Sequence, residues 1–166
     1  LQDHWDTNGF FVDKREKCGI VNNGDTLELC WGITKYGNRT YTLTYNITNI
    51  INQYEDAQGL YFSFIPEQMK QNPDNVSVYI HSNMLKLNEN NAKIWAFGYP
   101  NGTITFENGG VRMDSQGALP SSHYMTALIQ FPDRTFSTAV ERGESFDAIC
   151  EQAKKDAITP ATIRFY

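Results

Sequence analysis

Thr40-Tyr41-Thr42-Leu43-Thr44-Tyr45-Asn46-Ile47-Thr48 is the stretch on which the fold class turns. Tyr41, Leu43, Tyr45 and Ile47 alternate with Thr or Asn at every intervening position. Successive side chains of a strand point to opposite faces. A period of two, rich in β-branched and aromatic residues, therefore predicts a half-buried strand. Working outward, Val76, Val78 and Ile80 alternate with Ser77, Tyr79 and His81, and Leu60 to Ile65 reads as a strand ended by Pro66. Lys93 to Tyr99 and Thr103 to Glu107 are expected to pair as a hairpin around Pro100-Asn101-Gly102. Gly110 to Asp114, Tyr124 to Phe131 and Thr135 to Val140 complete the set, and Thr26 to Gly32 joins an N-terminal hairpin. Many short strands without repeated strand–helix alternation predict an antiparallel β-sandwich, immunoglobulin-like or jelly-roll-like. A closed barrel is the alternative.

One helix is expected at the C-terminal end, over roughly residues 145–157. Ser145 suits the N-cap, and Asp147 places a negative charge in the first turn, where the macrodipole favours it. Phe146, Ile149, Cys150, Ala153 and Ala157 recur at helical spacing on one face, Glu151 and Lys155 form an i,i+4 pair, and Pro160 stops the pattern. A second short helix is expected over Pro66 to Gln71. The domain plan is a β-sandwich over 1–143, the helix over 144–157 and a tail over 158–166 at a fragment boundary. Because the chain opens on Leu1, it reads as a piece of a longer protein or a mature chain freed of its signal.

The 166 residues suffice for one domain of ordinary size with a real core, or at most two very small ones. Hydrophobic residues at 40% and charged residues at 20% exclude a disordered chain. No run approaches the roughly 18 apolar residues of a membrane span. The net charge of -5 and the scattered Lys and Arg leave no electrostatic footprint for nucleic acid.

Cys18 and Cys30 flank the turn chemistry of Asn22-Asn23-Gly24-Asp25. If Asn23-Gly24-Asp25 is a three-residue loop, Cys18 stands opposite Cys30 and a disulfide is expected. A two-residue loop puts Cys18 opposite Leu29 instead. A Cys18–Cys30 bridge would argue for an oxidising compartment. Cys150 is left as a small core residue on the helix. Four sequons, at Asn38, Asn46, Asn75 and Asn101, are expected by chance in a chain with fifteen Asn.

The residues offer little chemistry. His4, His81 and His123 stand apart and no Cys-x-x-Cys or His-x-x-x-His completes a metal set, so neither metal nor cofactor is expected. Glu55 and Asp56 are neighbours in Tyr54-Glu55-Asp56, and adjacent strand residues face opposite ways, so they read as turn or solvated carboxylates. No nucleophile elbow or phosphate loop appears, and no catalytic residue is assigned. Trp95, Phe97 and Tyr99 share one face of a strand. They read first as core, because aromatics carry much of the packing energy, and second as a flat ligand platform.

Leu29-Cys30-Trp31-Gly32-Ile33, then Tyr36-Gly37 and Tyr41 to Asn49, resemble a bacterial family of predicted membrane proteins, domain of unknown function 2207. The likeness continues through Lys17-Cys18-Gly19-Ile20, Tyr54-Glu55-Asp56, Gly59 to Ile65, Asn75 to Ile80, Ile94 to Tyr99, Leu119, Tyr124-Met125 and Phe131-Pro132. It covers roughly residues 10 to 140. The resemblance implies an N-terminal extracytoplasmic β-sandwich that follows a signal peptide and precedes one or more membrane helices. It carries over no catalytic residues.

The leading expectation is a module for binding, sensing or structural support on the extracytoplasmic face of the cell membrane. It would be anchored by segments outside this chain and meet an unknown protein or cell-surface ligand. A carbohydrate-binding domain using Trp95, Phe97 and Tyr99, or Trp5 and Trp31, is the alternative. An unrecognised hydrolase is the third reading.

Overall fold

The computed structural model describes residues 5–24, 27–137 and 140–157, together with the backbone of 164–165. The chain is mainly β with one long helix near its C-terminal end. It divides into two compact units, Leu1–Tyr45 and Asn46–Tyr166. The N-terminal hairpin forms a two-stranded sheet of its own, which is why the division falls there.

In the first unit, a short helix α1 (Phe11–Lys14) precedes the antiparallel pair β1 (Cys18–Asn22) and β2 (Leu27–Trp31). Four residues of sequence separate the two strands, neither two nor three. Asn22 therefore faces Leu27, Gly19 faces Cys30 and Cys18 faces Trp31. A slip of one residue sends a side chain to the other face of the sheet. Cys18 and Cys30 thus lie on opposite faces of the hairpin and both are free thiols, which overturns the expected disulfide.

The second unit contains a six-stranded and a three-stranded sheet. The larger is built from β3 (Ile51–Gln53), β4 (Gln58–Ile65), β6 (Lys93–Phe97), β9 (Met125–Phe131), β10 (Val140–Glu141) and β11 (Arg164–Phe165). Its order is β10-β3-β4-β9-β6-β11, antiparallel except for the parallel pair of β10 with β3. The smaller sheet holds β5 (Ser77–His81), β7 (Thr103–Glu107) and β8 (Gly110–Asp114), ordered β5-β8-β7.

The two sheets share one apolar core. Leu60, Ile94, Ala96, Met125, Ala127 and Ile129 from the large sheet pack with Ile104, Val111 and Met113 from the small one. The register explains the assignment of faces: Ile94 stands opposite Ile129, and Ala96 opposite Ala127. Trp95 and Leu128 then point the other way, where helix α2 (Phe146–Asp156) covers them through Phe146, Cys150 and Ala153. Three layers result, with β9 buried on both faces at the centre.

Several expected elements are absent or rearranged. Residues 41–47 carry no regular secondary structure, and Tyr41, Leu43, Tyr45 and Ile47 are all exposed. Alternation marks a potential face, but a strand exists only where a neighbour supplies the other half of its hydrogen-bond ladder. The pair 93–99 and 103–107 is not a hairpin. β6 belongs to the large sheet and β7 to the small one, and β7 pairs with β8 around Asn108-Gly109. Both of those residues have positive φ, 51° and 79°, as a two-residue hairpin turn with the sheet's own twist requires. The crossing between the sheets starts at Gly98, whose φ of 94° suits glycine and where a Cβ would collide with Tyr124.

Residues 66–71 are not helical. Gln68 has a φ of 63° and its N–H donates to Ser121 O at 2.7 Å. Thr135 and Phe136 are not strand, because Gln58 takes the backbone that would have paired. Phe136 N–H donates to Gln58 Oε1 and Gln58 Nε2 donates to Phe136 O, each at 2.7 Å. Residues 138–139 lie outside the described residues. Of the expected tail over 158–166, the backbone of Arg164 and Phe165 pairs with β6.

Candidate functional site

The row proposed as a ligand platform lies inside the second unit. Phe97 is 1% and Tyr99 4% exposed. Trp95 is half-buried, its ring 5.8 Å from that of Phe146. The helix that closes over this side of the sheet is held at its start by two acceptors. Ser145 Oγ accepts Ala148 N–H at 3.3 Å, and an Asp56 carboxylate oxygen accepts Phe146 N–H at 2.6 Å. The Tyr54 ring meets Phe146 edge-on at 5.6 Å. Tyr54-Glu55-Asp56 is thus a docking point for α2 and not an acid/base pair. On the helix itself, Lys154 pairs with Glu151 at 2.8 Å, in place of the expected Lys155.

Nucleophilic chemistry finds no support in Cys150. Its thiol is buried in the helix–sheet core, and burial pushes its pKa up against the weaker pull of Lys154. A reactive cysteine needs the opposite, a stabilised thiolate. Among the described residues, no three His, Cys, Asp or Glu side chains converge as a metal set. His4 lies outside the described residues.

Two surfaces remain. The first belongs to the N-terminal unit, where Leu29, Trp31, Tyr41 and Leu43 line an open hollow of about 560 Å³ bordered by Glu16 and Lys17. All four apolar side chains are exposed, and the Trp31 and Tyr41 rings approach to 5.4 Å. The sequence pattern did flag this segment, but as a strand face to be covered.

The second surface is the outer side of the three-stranded sheet. Opposite the core residues Val78, Ile104, Val111 and Met113, the strands present Ser77, Tyr79 and His81 beside Asp114 and Arg112. Arg112 reaches Asp114 at 3.3 Å and Glu107 at 3.5 Å. Asp114 also accepts the Ser77 hydroxyl at 2.6 Å and Gln116 N–H at 2.9 Å. These bonds, the Ser77 hydroxyl first, hold its carboxyl below the usual aspartate value. Sequence reasoning read this strand only for its apolar side. The signal was the complementary polar half of the same alternation.

A family model described as "Predicted membrane protein (DUF2207) N-terminal domain" matches residues 7–131. Comparison with curated proteins and with solved structures gives no match. No described helix is long and apolar enough to cross a membrane.

Proposed function

Since the chain belongs to the DUF2207 family of predicted membrane proteins, we propose that it is a recognition or support module held outside the bacterial cytoplasmic membrane by segments beyond this sequence. The observation that carries the recognition role is the exposed cluster of Leu29, Trp31, Tyr41 and Leu43. Large contiguous apolar surface is uncommon on proteins that act alone, and it usually marks a contact surface. The reading assigns no hydrolytic step. The burial of Cys150 and the capping role of Asp56 support that assignment.

Protease shaving of intact cells that make the full-length protein tests the placement. Digestion of this domain while a cytoplasmic marker survives is the expected result, and complete protection behind a permeable wall overturns it. A photo-crosslinking residue at Tyr41 in the same cells tests the contact role. Tyr41-dependent adducts are expected, and their absence alongside efficient labelling at a control position overturns it.

A further inference from the structure

The outer face of the three-stranded sheet is organised more tightly than a solvated surface requires. Tyr79 stands opposite Arg112, and His81 opposite Gly110. At Gly110 a Cβ would fall 2.9 Å from Tyr79 Cζ and 3.0 Å from its hydroxyl oxygen. The missing side chain lets the Tyr79 ring reach across β8. Its hydroxyl donates to Glu107 O at 3.1 Å and lies 3.3 Å from Asn108 O. The ring is 48% exposed and stacks on His81 at 5.7 Å. Beside it, Arg112 is gripped by Glu107 and Asp114, and Asp114 in turn by Ser77 and Gln116. A groove of about 360 Å³ is lined by Ser77, Val78, Tyr79, Glu107, Asn108 and Arg112.

A tethered aromatic ring next to a fixed guanidinium and two fixed carboxylates offers one apolar plane, several donors and several acceptors at set positions. Because the protein's own hydrogen bonds already order these groups, a ligand need not bear the cost of ordering them. Charge narrows the ligand class. One guanidinium between two carboxylates leaves the site net negative, which disfavours a phosphate or a carboxylate ligand. A purely apolar ligand would leave the charged groups poorly solvated. A neutral ligand with a flat C–H face and many hydroxyls meets both demands. Its face lies on the ring, its hydroxyls donate to the Glu107 carboxylate, and it accepts from the guanidinium.

We propose that this face binds neutral carbohydrate, with Tyr79 as the stacking surface, Arg112 and Glu107 as hydroxyl partners, and Asp114 holding Arg112 in place. The site belongs to the second unit and does not depend on the contact role proposed for the apolar hollow of the first.

Titration of the isotopically labelled chain with a panel of neutral oligosaccharides of glucose, mannose, galactose and N-acetylglucosamine type, followed by amide chemical shifts, is the test. At least one sugar should shift resonances of residues 77–81 and 105–116 saturably. Tyr79→Ser should weaken that binding about tenfold or more, the equivalent of about 1.4 kcal/mol. Tyr79→Phe, which keeps the ring and the fold while losing the hydroxyl tether, should weaken it less, and Arg112→Gln should weaken it again. Unchanged spectra at millimolar concentrations of every sugar overturn the proposal. So do shifts confined to another surface, shifts that survive Tyr79→Ser in a folded sample, or tighter binding of inorganic phosphate than of any sugar.

Discussion

A carboxylate oxygen of Asp56 accepts the backbone N–H of Phe146 at 2.6 Å, joining the turn before β4 to the first residue of α2 ninety positions later. The first N–H groups of a helix have no partner within it, and the positive end of the macrodipole lies there. One side chain therefore satisfies a donor, places a negative charge where it is favourable and docks the helix. Asp56→Ala is expected to lower stability by about 1–2 kcal/mol, with Asp56→Asn retaining part of the loss. Urea unfolding midpoints at neutral pH check this, and equal midpoints for all three proteins would refute the role.

Gly59 sits under the same helix. A Cβ there would fall 2.6 Å from Phe146 Cε2 and 2.9 Å from Tyr54 Cε2. Gly59→Ala is expected to cost about 1–3 kcal/mol through overpacking. Gly143→Ala, where nothing lies within 4 Å, should stay within about 0.5 kcal/mol of the parent. Thermal unfolding of the two variants side by side separates them, and a loss at Gly143 as large as at Gly59 would contradict the account.

The three thiols should report their surroundings in order. Cys18 is exposed, Cys30 half-buried and Cys150 buried with its pKa pushed up by burial. Alkylation of the native protein at mildly alkaline pH is expected to modify Cys18 first and Cys150 only after denaturation. Peptide mapping over a time course checks the order. Intact mass should not change on reduction before alkylation, and an increase would restore a disulfide that the register forbids.

Asp114 predicts an acid-side effect. Its carboxyl titrates below the ordinary aspartate value of 3.8, because the Ser77 hydroxyl, the Gln116 N–H and Arg112 favour the charged form. With the folded value below the unfolded one, the carboxylate adds stability at pH values above the unfolded value. That contribution fades as pH falls through the folded one. Asp114→Asn should flatten this part of the pH–stability curve, and Ser77→Ala should raise the Asp114 pKa. Carboxyl-carbon titration by NMR checks both, and an unmoved Asp114 in Ser77→Ala would sink the assignment.

What the sequence by itself determined was local. Alternation placed β5, strand-forming runs among turn signals placed β4, β8 and β9 within a residue or two, and Ser145 with the stripe at Phe146, Cys150 and Ala153 placed α2. These patterns state which side chains share a face, and a face of that kind is set within one element. Only the tertiary structure decided what lies across from each face. The Tyr41–Ile47 alternation lacks a ladder in the described residues, although it is the most regular in the chain. β6 and β7 parted into different sheets, and the register of β1 with β2 set Cys18 opposite Trp31. The expected Trp95-Phe97-Tyr99 row did not hold as one face: α2, about fifty residues downstream, covers Trp95 and Phe97, whereas Tyr99, past the positive-φ Gly98, joins the core between the two sheets. The polar half of β8 gained its meaning when Glu107 and Ser77 arrived from two other strands. Pairing and layering are contacts between residues far apart in the chain. Their free energy depends on the partner's geometry, and a local period carries no information about that partner.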